Sequence, residues 1–321
     1  MKPVMVEPEA EGSRPFYSVV IPTYRSTQYI CEALDSVFAQ TYKNYEVIVV
    51  NDGTPDAAEL ELALKPHLHR IIYIKQDNKG PGGARNTGIM RARGEFVALL
   101  DSDDRWLPDH LADMATIVRK DPAVDLIYAD ALNFGDPKLA GHTSMETNPS
   151  NGVADFEGLI EGRCTVIASC VVARKQALID AGLFDEKFVH AEDYDLWLRA
   201  AYQGKRIDYL RKVHSLRRIH DASLTSDTIK TYQGQAEVLR KLMKELPVSK
   251  DLKQKMKHEI ERCNAHIALE KGKEKIVARQ YKRAREELKQ ANDFFRRRKL
   301  TVVLMLLRAA PLVVRYFYVK R

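Results

Sequence analysis

Residues 95–106 read EFVALLDSDDRW, and the fold turns on them. Phe96-Val97-Ala98-Leu99-Leu100 is a continuous apolar run bounded by polar residues. Its length suits a strand, and its lack of period-two alternation predicts that both faces are covered. The run stops at Asp101-Ser102-Asp103-Asp104. A parallel strand would deliver these carboxylates to the rim where open α/β sheets bind ligands. Clustered carboxylates there suit Mg²⁺ or Mn²⁺, cations that also hold substrate phosphates. A surface loop whose aspartates cap the next helix, with Pro108 in its first turn, explains the same residues equally well. The rest of the chain decides between the two.

Working upstream, residues 17–22, 45–50 and 71–74 read as strands. Between and after them, 28–40, 57–64 and 84–93 have helical period, the first with Ile30, Leu34, Val37 and Phe38 on one face. Alternating strands and helices predict βαβ units with right-handed crossovers: an α/β fold, its mostly parallel sheet covered by helices on both faces. Three of the strands then end at one rim, in Thr23-Tyr24, Asn51-Asp52 and residues 101–104. That convergence favours a site over a chance acidic loop. The stretch NKGPGGARN, residues 78–86, is a glycine-rich turn opening a helix. Such a turn can cradle phosphate with backbone N–H groups, and Arg85 adds a charged fork. It is no dinucleotide fingerprint, which would follow the first strand, and no Walker loop, since Gly-Lys-Ser/Thr is missing.

Downstream, strand character returns at 124–133. Residues 135–151 are rich in Gly, Pro, Ser and Thr and read as a long loop, a candidate lid or acceptor-side segment. An apolar run at 165–172, a helix at 174–181 and a Gly182-Leu183-Phe184-Asp185 turn lead to a helix from 191 onward. There Tyr194, Trp197, Leu198 and Ala201 can face the core. Glu192 and Asp193 fall in its first turn, where acids commonly serve the helix dipole. Their position also allows one of them to act as a general base. His220 reads either as structural or as a third metal ligand.

Length and composition set the frame. The chain has 321 residues, 45% apolar and 30% charged, as in a soluble globular protein with a full core. Cys31, Cys164, Cys170 and Cys263 lack CxxC or zinc-like spacing and read as reduced core thiols. Residues 1–15, with Glu7, Glu9 and Glu11, read as a flexible leader and not a signal peptide. Residues 228–321 carry 25 Lys+Arg and 10 Asp+Glu, a net +15, against −8 for the remainder. The expected organisation is thus a domain over 16–227 and a basic all-helical extension over 228–321. Helical period marks 228–246, 250–270, 273–291 and 298–318, the third faintly resembling one helical-hairpin repeat. Arg308 and Arg315 interrupt the apolar run of about 20 residues that a membrane span needs. Residues 296–321 therefore read as an in-plane helix drawn to an anionic membrane surface. Docking of that helix on the fold or on a second copy is the alternative, and an oligomer stays open. No nucleic-acid motif is present, and none is expected as partner.

Four segments, in order, carry a resemblance: VVIPTYRSTQYICEALDSVFAQTYKNYEVIVVNDGTPD, NKGPGGARNTGI, GEFVALLDSDDRW and the GLFDE…EDYDLWLR stretch. Over residues 17–226 the chain resembles the family 2 glycosyltransferases of GT-A fold. The resemblance implies a Rossmann-like GT-A sheet and inverting transfer from a nucleotide-diphosphate sugar to a hydroxyl acceptor, with Mn²⁺ or Mg²⁺ as cofactor. By the same resemblance Pro22, Thr23, Tyr24 and Asp52 look like nucleotide contacts, and Asn78, Gly80 and Arg85 like base and diphosphate-side contacts. Asp101 and Asp103 match the DxD motif, Asp101 nearer the ribose and Asp103 on the metal. Asp193 matches the catalytic base, Glu192 beside it and Trp197 fall on the acceptor side, and His220 matches a metal-ligating histidine of some members. The Gln-x-x-Arg-Trp motif and membrane helices of processive members are missing, so single transfers are expected. The implied setting is the bacterial cytoplasm, peripheral on the inner face of the membrane, with a lipid-linked or cell-surface glycan as acceptor. Two rivals stand beside this reading. One is a non-catalytic nucleotide- or glycan-binding module that recruits partners through its helices; intact Asp101, Asp103 and Asp193 argue against it. The other is a sugar nucleotidyltransferase, which would want glycine directly after the first strand, where Thr23-Tyr24-Arg25-Ser26 stands.

Overall fold

The computed structural model describes residues 4–6, 14–137, 139–220, 223 and 227–319. The chain divides into two compact units, Met1–Asp221 and Ala222–Arg321. The first unit opens with β1 (Val4–Val6), β2 (Tyr17–Thr23), α1 (Ile30–Phe38), β3 (Tyr45–Asn51), α2 (Ala57–Leu64), β4 (Ile72–Lys75), α3 (Gly80–Arg91) and β5 (Phe96–Leu99). It continues with β6 (Arg105–Trp106), α4 (His110–Lys120), β7 (Leu126–Phe134), α5 (Ser144–Thr147), α6 (Phe156–Ile160), β8 (Val172–Arg174), α7 (Lys175–Asp180), α8 (Glu192–Tyr202) and β9 (Ile207–Arg218).

Among the described residues these strands form one sheet in the order β1-β4-β3-β2-β5-β8-β7-β9-β6. The parallel ladders are the long ones, four to nine residues each. The antiparallel ladders are two or three residues long. In β2 alternate residues go to opposite faces, as a pleated strand requires. Val19 and Ile21 join Ile30 and Leu34 of α1, Leu60 of α2 and Leu111 of α4 in one buried cluster. Val20 faces the other way, where a Cβ added to Gly88 of α3 would collide with it. Helices thus cover both faces, and β5 is buried at all four positions. Because β3, β2 and β5 are neighbours and parallel, their carboxyl ends share one rim.

The structure departs from the sequence reading in several places. Part of the expected flexible leader is ordered: β1 pairs antiparallel with β4, as the β-favouring Val-Met-Val triplet permits. Residues 1–3 and 7–13 of that leader lie outside the described residues. The α3 helix begins at Gly80, not at 84, so the glycine-rich turn is itself the first helical turn. The 135–151 segment contains α5, held by a capping box between Thr143 and Glu146. The 165–172 run forms a 3₁₀ turn at Ala168–Cys170, and only then the short β8, which enters antiparallel between β5 and β7. Neither β6 nor the 12-residue β9 was anticipated. In α8 the buried face includes Glu192 and Asp195, while Tyr194 and Ala201 are only half-buried. Cys164, Cys170 and Cys263 are buried and Cys31 is half-buried; all four thiols are free.

The second unit comprises α9 (Thr228–Glu245), α10 (Lys250–Val277), α11 (Tyr281–Phe295), α12 (Arg298–Ala309) and α13 (Pro311–Val319). The second helix runs on past residue 270 because Gly272 lets Leu288 of α11 lie directly over it; a Cβ there would come within 2.6 Å. The expected single helix at 298–318 is split at Ala310, since Pro311 has no N–H to continue the ladder. Leu300, Leu307 and Val314 pack with Ala268, Ile276, Ala284 and Leu288 in one cluster. Among the described residues no helix is long and apolar enough to cross a membrane.

Candidate active site

The rim is built from four strand ends and two helix starts. After β2, the Thr23 and Ser26 hydroxyls lie 2.9 Å apart, and Ser26 meets the Ser102 hydroxyl of the acidic loop at 2.6 Å. Arg25 between them is left-handed, at φ +53°, and donates its N–H to Thr54 Oγ1 at 2.8 Å. Pro22 lies in β2, and Tyr24 stands exposed on the rim. After β3, Asp52 is buried, and its Oδ1 accepts from Gln76 Nε2 at 2.7 Å and from the Lys79 N–H at 2.9 Å. Asn78 is exposed and its Oδ1 accepts from the Gly80 N–H at 3.2 Å.

Arg85, on α3, is the hinge of the site. Its Nη2 donates to Asp101 Oδ1 at 2.6 Å, and its Nη1 donates to Glu192 Oε1 at 2.7 Å. Burial works against its charge, but Asp101 and Glu192 hold it protonated. The end of β5 is thereby tied to the start of α8. Glu192 is also buried, and that burial, with the neighbouring Asp193, pushes its carboxyl up to about 7 despite Arg85. Asp193 is raised by burial too, against the pull of Arg85, and its Oδ1 accepts from the Tyr194 N–H at 2.7 Å. Immediately before them Ala191 adopts φ +66°, a left-handed conformation that costs a non-glycine residue on the order of 1 kcal/mol. The turn preceding α8 is fixed from two sides. Asn86 exchanges hydrogen bonds with the Phe184 backbone, both at 2.9 Å, and Arg199 joins Asp195 to the Leu183 carbonyl. Trp197 of the same helix is buried, edge-on to Phe184 at 6.1 Å.

The acidic loop divides its three carboxylates. Burial would raise Asp101, but Arg85 holds it below the usual range. Burial and repulsion from Asp101 raise Asp103, whose Oδ2 lies 3.0 Å from His220 Nε2. Burial first, then repulsion from Asp103 and Asp101, pushes Asp104 up to about 8, although its Oδ1 accepts from the Arg218 N–H at 2.8 Å. The Arg218 side chain donates to the Asp103 carbonyl at 3.0 Å and to Glu32 Oε2 at 2.8 Å.

The structure therefore brings Arg85, Asp101, Glu192 and Asp193 together, and pairs Asp103 with His220. Of the expected ligand set, Asp101 is turned to Arg85, while Asp103 pairs with His220. Among the described residues no group of three or more His, Cys, Asp or Glu is gathered so as to hold a metal ion by itself. Asp103 and His220 remain, partly exposed beside a concentration of repelling carboxylates. Two protein donors completed by substrate phosphates is how Mg²⁺ and Mn²⁺ are commonly held, so these residues fit such a cation. Sequence reasoning missed Glu32, Ser102, Asp104, Ser169 and Arg218. Ser102 and Asp104 had a signal, their place in the acidic run; Glu32, Arg218 and Ser169, whose hydroxyl accepts from the Asp101 N–H at 3.2 Å, reach the rim through long-range folding.

The glycosyl transferase family 2 profile matches residues 18–180. The chain belongs to this family. An uncharacterized glycosyltransferase of Rickettsia prowazekii is 31% identical over 245 residues, covering 72% of this chain and 74% of the relative. Among solved structures, Staphylococcus aureus TarS 1–349 in complex with UDP-GlcNAc superposes with a TM-score of 0.62 at 20% identity, over 94% of this chain and 90% of that one. The mannosyltransferase PcManGT of Pyrobaculum calidifontis, in complex with GDP-Man and Mn²⁺, gives 0.61 at 17%, over 96% and 84%. This glycosyltransferase has the GT-A architecture that the sequence implied, followed by helices, and the family membership sets the non-catalytic module aside.

Proposed function

We propose that this glycosyltransferase moves a sugar from a nucleotide-diphosphate donor to a hydroxyl acceptor with inversion, Asp193 acting as general base. The observation that carries the reading is Arg85 bound at once to Asp101 and Glu192, which fixes the acid-bearing start of α8 against the end of β5. A base raised above the usual carboxylate range accepts a proton more readily near neutral pH. As the acceptor oxygen bonds to the anomeric carbon, Asp193 takes its proton. The bond to the donor phosphate breaks, and the electron pair leaves with the nucleoside diphosphate. The domain over 16–227 carries this chemistry. Thr23, Tyr24, Asp52, Asn78 and Gly80 are placed on the nucleotide side. Asp103 and His220 would hold a divalent cation, with Asp101 close by; when bound, it neutralises leaving-group charge as a Lewis acid.

The nucleotide sugars and Mn²⁺ named for the structural neighbours support the donor class and the cation. The acceptor is a lipid-linked or cell-surface glycan, and the setting is the inner face of the cell membrane. The test is turnover of nucleotide sugars with Mn²⁺ or Mg²⁺ by wild type and Asp193→Asn, alongside nucleotide-induced thermal shifts. Asp193→Asn should keep the shift and lose about 10²- to 10⁴-fold in transfer; unchanged turnover removes Asp193 from the role.

A further inference from the structure

We propose that the outward face of α12 and α13 docks on the surface of an anionic lipid bilayer. The proposal rests on the peripheral setting above and assigns it to a face. The last two helices are two-sided. Leu300, Leu307 and Val314 point into the cluster with α10 and α11, with Val303, Leu304 and Tyr318 packed against it. On the sides away from that cluster, Val302, Met305 and Leu306 form one stripe at helical spacing, and Leu312, Val313, Tyr316 and Phe317 form another. Met305, Leu312 and Phe317 are each more than 60% exposed, far beyond the scattered apolar residue that any surface carries. Packing onto the unit's own core and an outward apolar surface are therefore not alternatives, because different residues serve each.

Charge selects the occupant. Residues 296–321 contain eight Lys and Arg and no Asp or Glu. Arg296, Arg297, Arg298, Lys299 and Arg308 are exposed. Arg315, which interrupts the apolar run in the sequence, is half-buried, its Nε donating to the Val277 carbonyl at the end of α10 at 3.2 Å. A second copy placed against this face would set like charges opposite one another, which disfavours a symmetric dimer. A polyphosphate chain would satisfy the arginines but leave the apolar stripes against water. An anionic bilayer satisfies both at once, with apolar side chains in the headgroup boundary and cations among the headgroups. Neither helix, at 12 and 9 residues, can span the membrane.

The test is sedimentation of the full chain with phosphatidylglycerol-containing and with pure phosphatidylcholine vesicles, at low and high salt. Wild type should pellet with the anionic vesicles, roughly tenfold or more in excess over the neutral ones, and release in high salt. Met305→Glu combined with Phe317→Glu should abolish pelleting with the circular dichroism melt unchanged, since neither side chain enters the cluster. Equal pelleting of the double variant, or wild type that stays in the supernatant, overturns the proposal. So does light scattering that shows a dimer broken by the same variant without vesicle binding. Nucleotide-induced thermal shifts on the same samples report the transfer site separately, so its failure is distinguishable.

Discussion

In the first unit Arg85, Asp104 and Glu192 are charged or ionisable groups taken almost wholly out of water, each held by named partners. In the second unit the five basic side chains of residues 296–308 stand exposed beside exposed Met, Leu and Phe. Buried charge is retained only where partners fix it, so it specifies a geometry; exposed charge leaves its unit free to meet another surface. The difference predicts a graded response to substitution.

The largest effect should come from Arg85→Leu. It leaves two carboxylates facing each other with their shared cation gone, which costs about 3–5 kcal/mol. Urea titration against wild type would measure it, and a loss below 1 kcal/mol would break the contrast. Next come two close-approach glycines, one taken from each unit. Gly88→Ala drives a methyl into Val20, a β-branched residue stiff in its strand, and should cost about 1–3 kcal/mol. Gly272→Ala meets Cδ2 and Cγ of the buried Leu288 at 2.6 Å, but gains helix propensity of about 1 kcal/mol that offsets part of the cost. Its net change should be the smaller of the two, read by the same titrations.

A pH series sharpens the comparison further. His266 of α10 stacks on Tyr232 at 4.4 Å, and burial, then Arg262, Arg297 and Lys273, lowers it to about 4. Between pH 6.5 and 4 the unfolded chain binds a proton that the folded one refuses. Stability from this residue is therefore full above 6.5 and lost as pH falls through that window. His266→Leu should flatten that part of the melting temperature against pH. Smallest of all, Arg308→Ala on the exposed face should stay within about 0.5 kcal/mol in melting while weakening vesicle binding.

How far the sequence could be read differs along the sheet. The 17–22, 45–50 and 96–100 runs announce themselves because both faces of these strands are buried over most of their length, so apolar residues run nearly unbroken, with Ser18 and Glu46 the exceptions. Their shared rim then follows from parallel connection alone, and with it Asp52 and Asp101. β9 is illegible for the opposite reason. It is exposed at Arg211 and Lys212, and its register against β7 shifts on both sides of Asp130, which destroys period two. Arg218 and Glu32 were invisible with it, since their roles depend on where that strand ends. The start of α3 was misplaced because glycines that normally mark a turn here serve close packing: a Cβ on Gly82 would meet Phe184 at 3.1 Å. Among the boundaries of the second unit, the split at Pro311 has a plain local cause, as do the starts of α9 and α10, capped by Asp227 and Ser249.

The pairing of β6 with β9 also has a consequence in time. Arg105 and Trp106 find their strand partners only at Leu216 and Ser215, and Asp104 is bonded to an N–H 114 residues further along. On a ribosome that interval is on the order of 10 s. Throughout it the carboxylate loop has Ser26 and Arg85 to bond but lacks the strand that pairs with β6 and the N–H that holds Asp104. A nascent chain arrested before residue 207 should be cut by protease at 101–104, and one carried past residue 220 should resist.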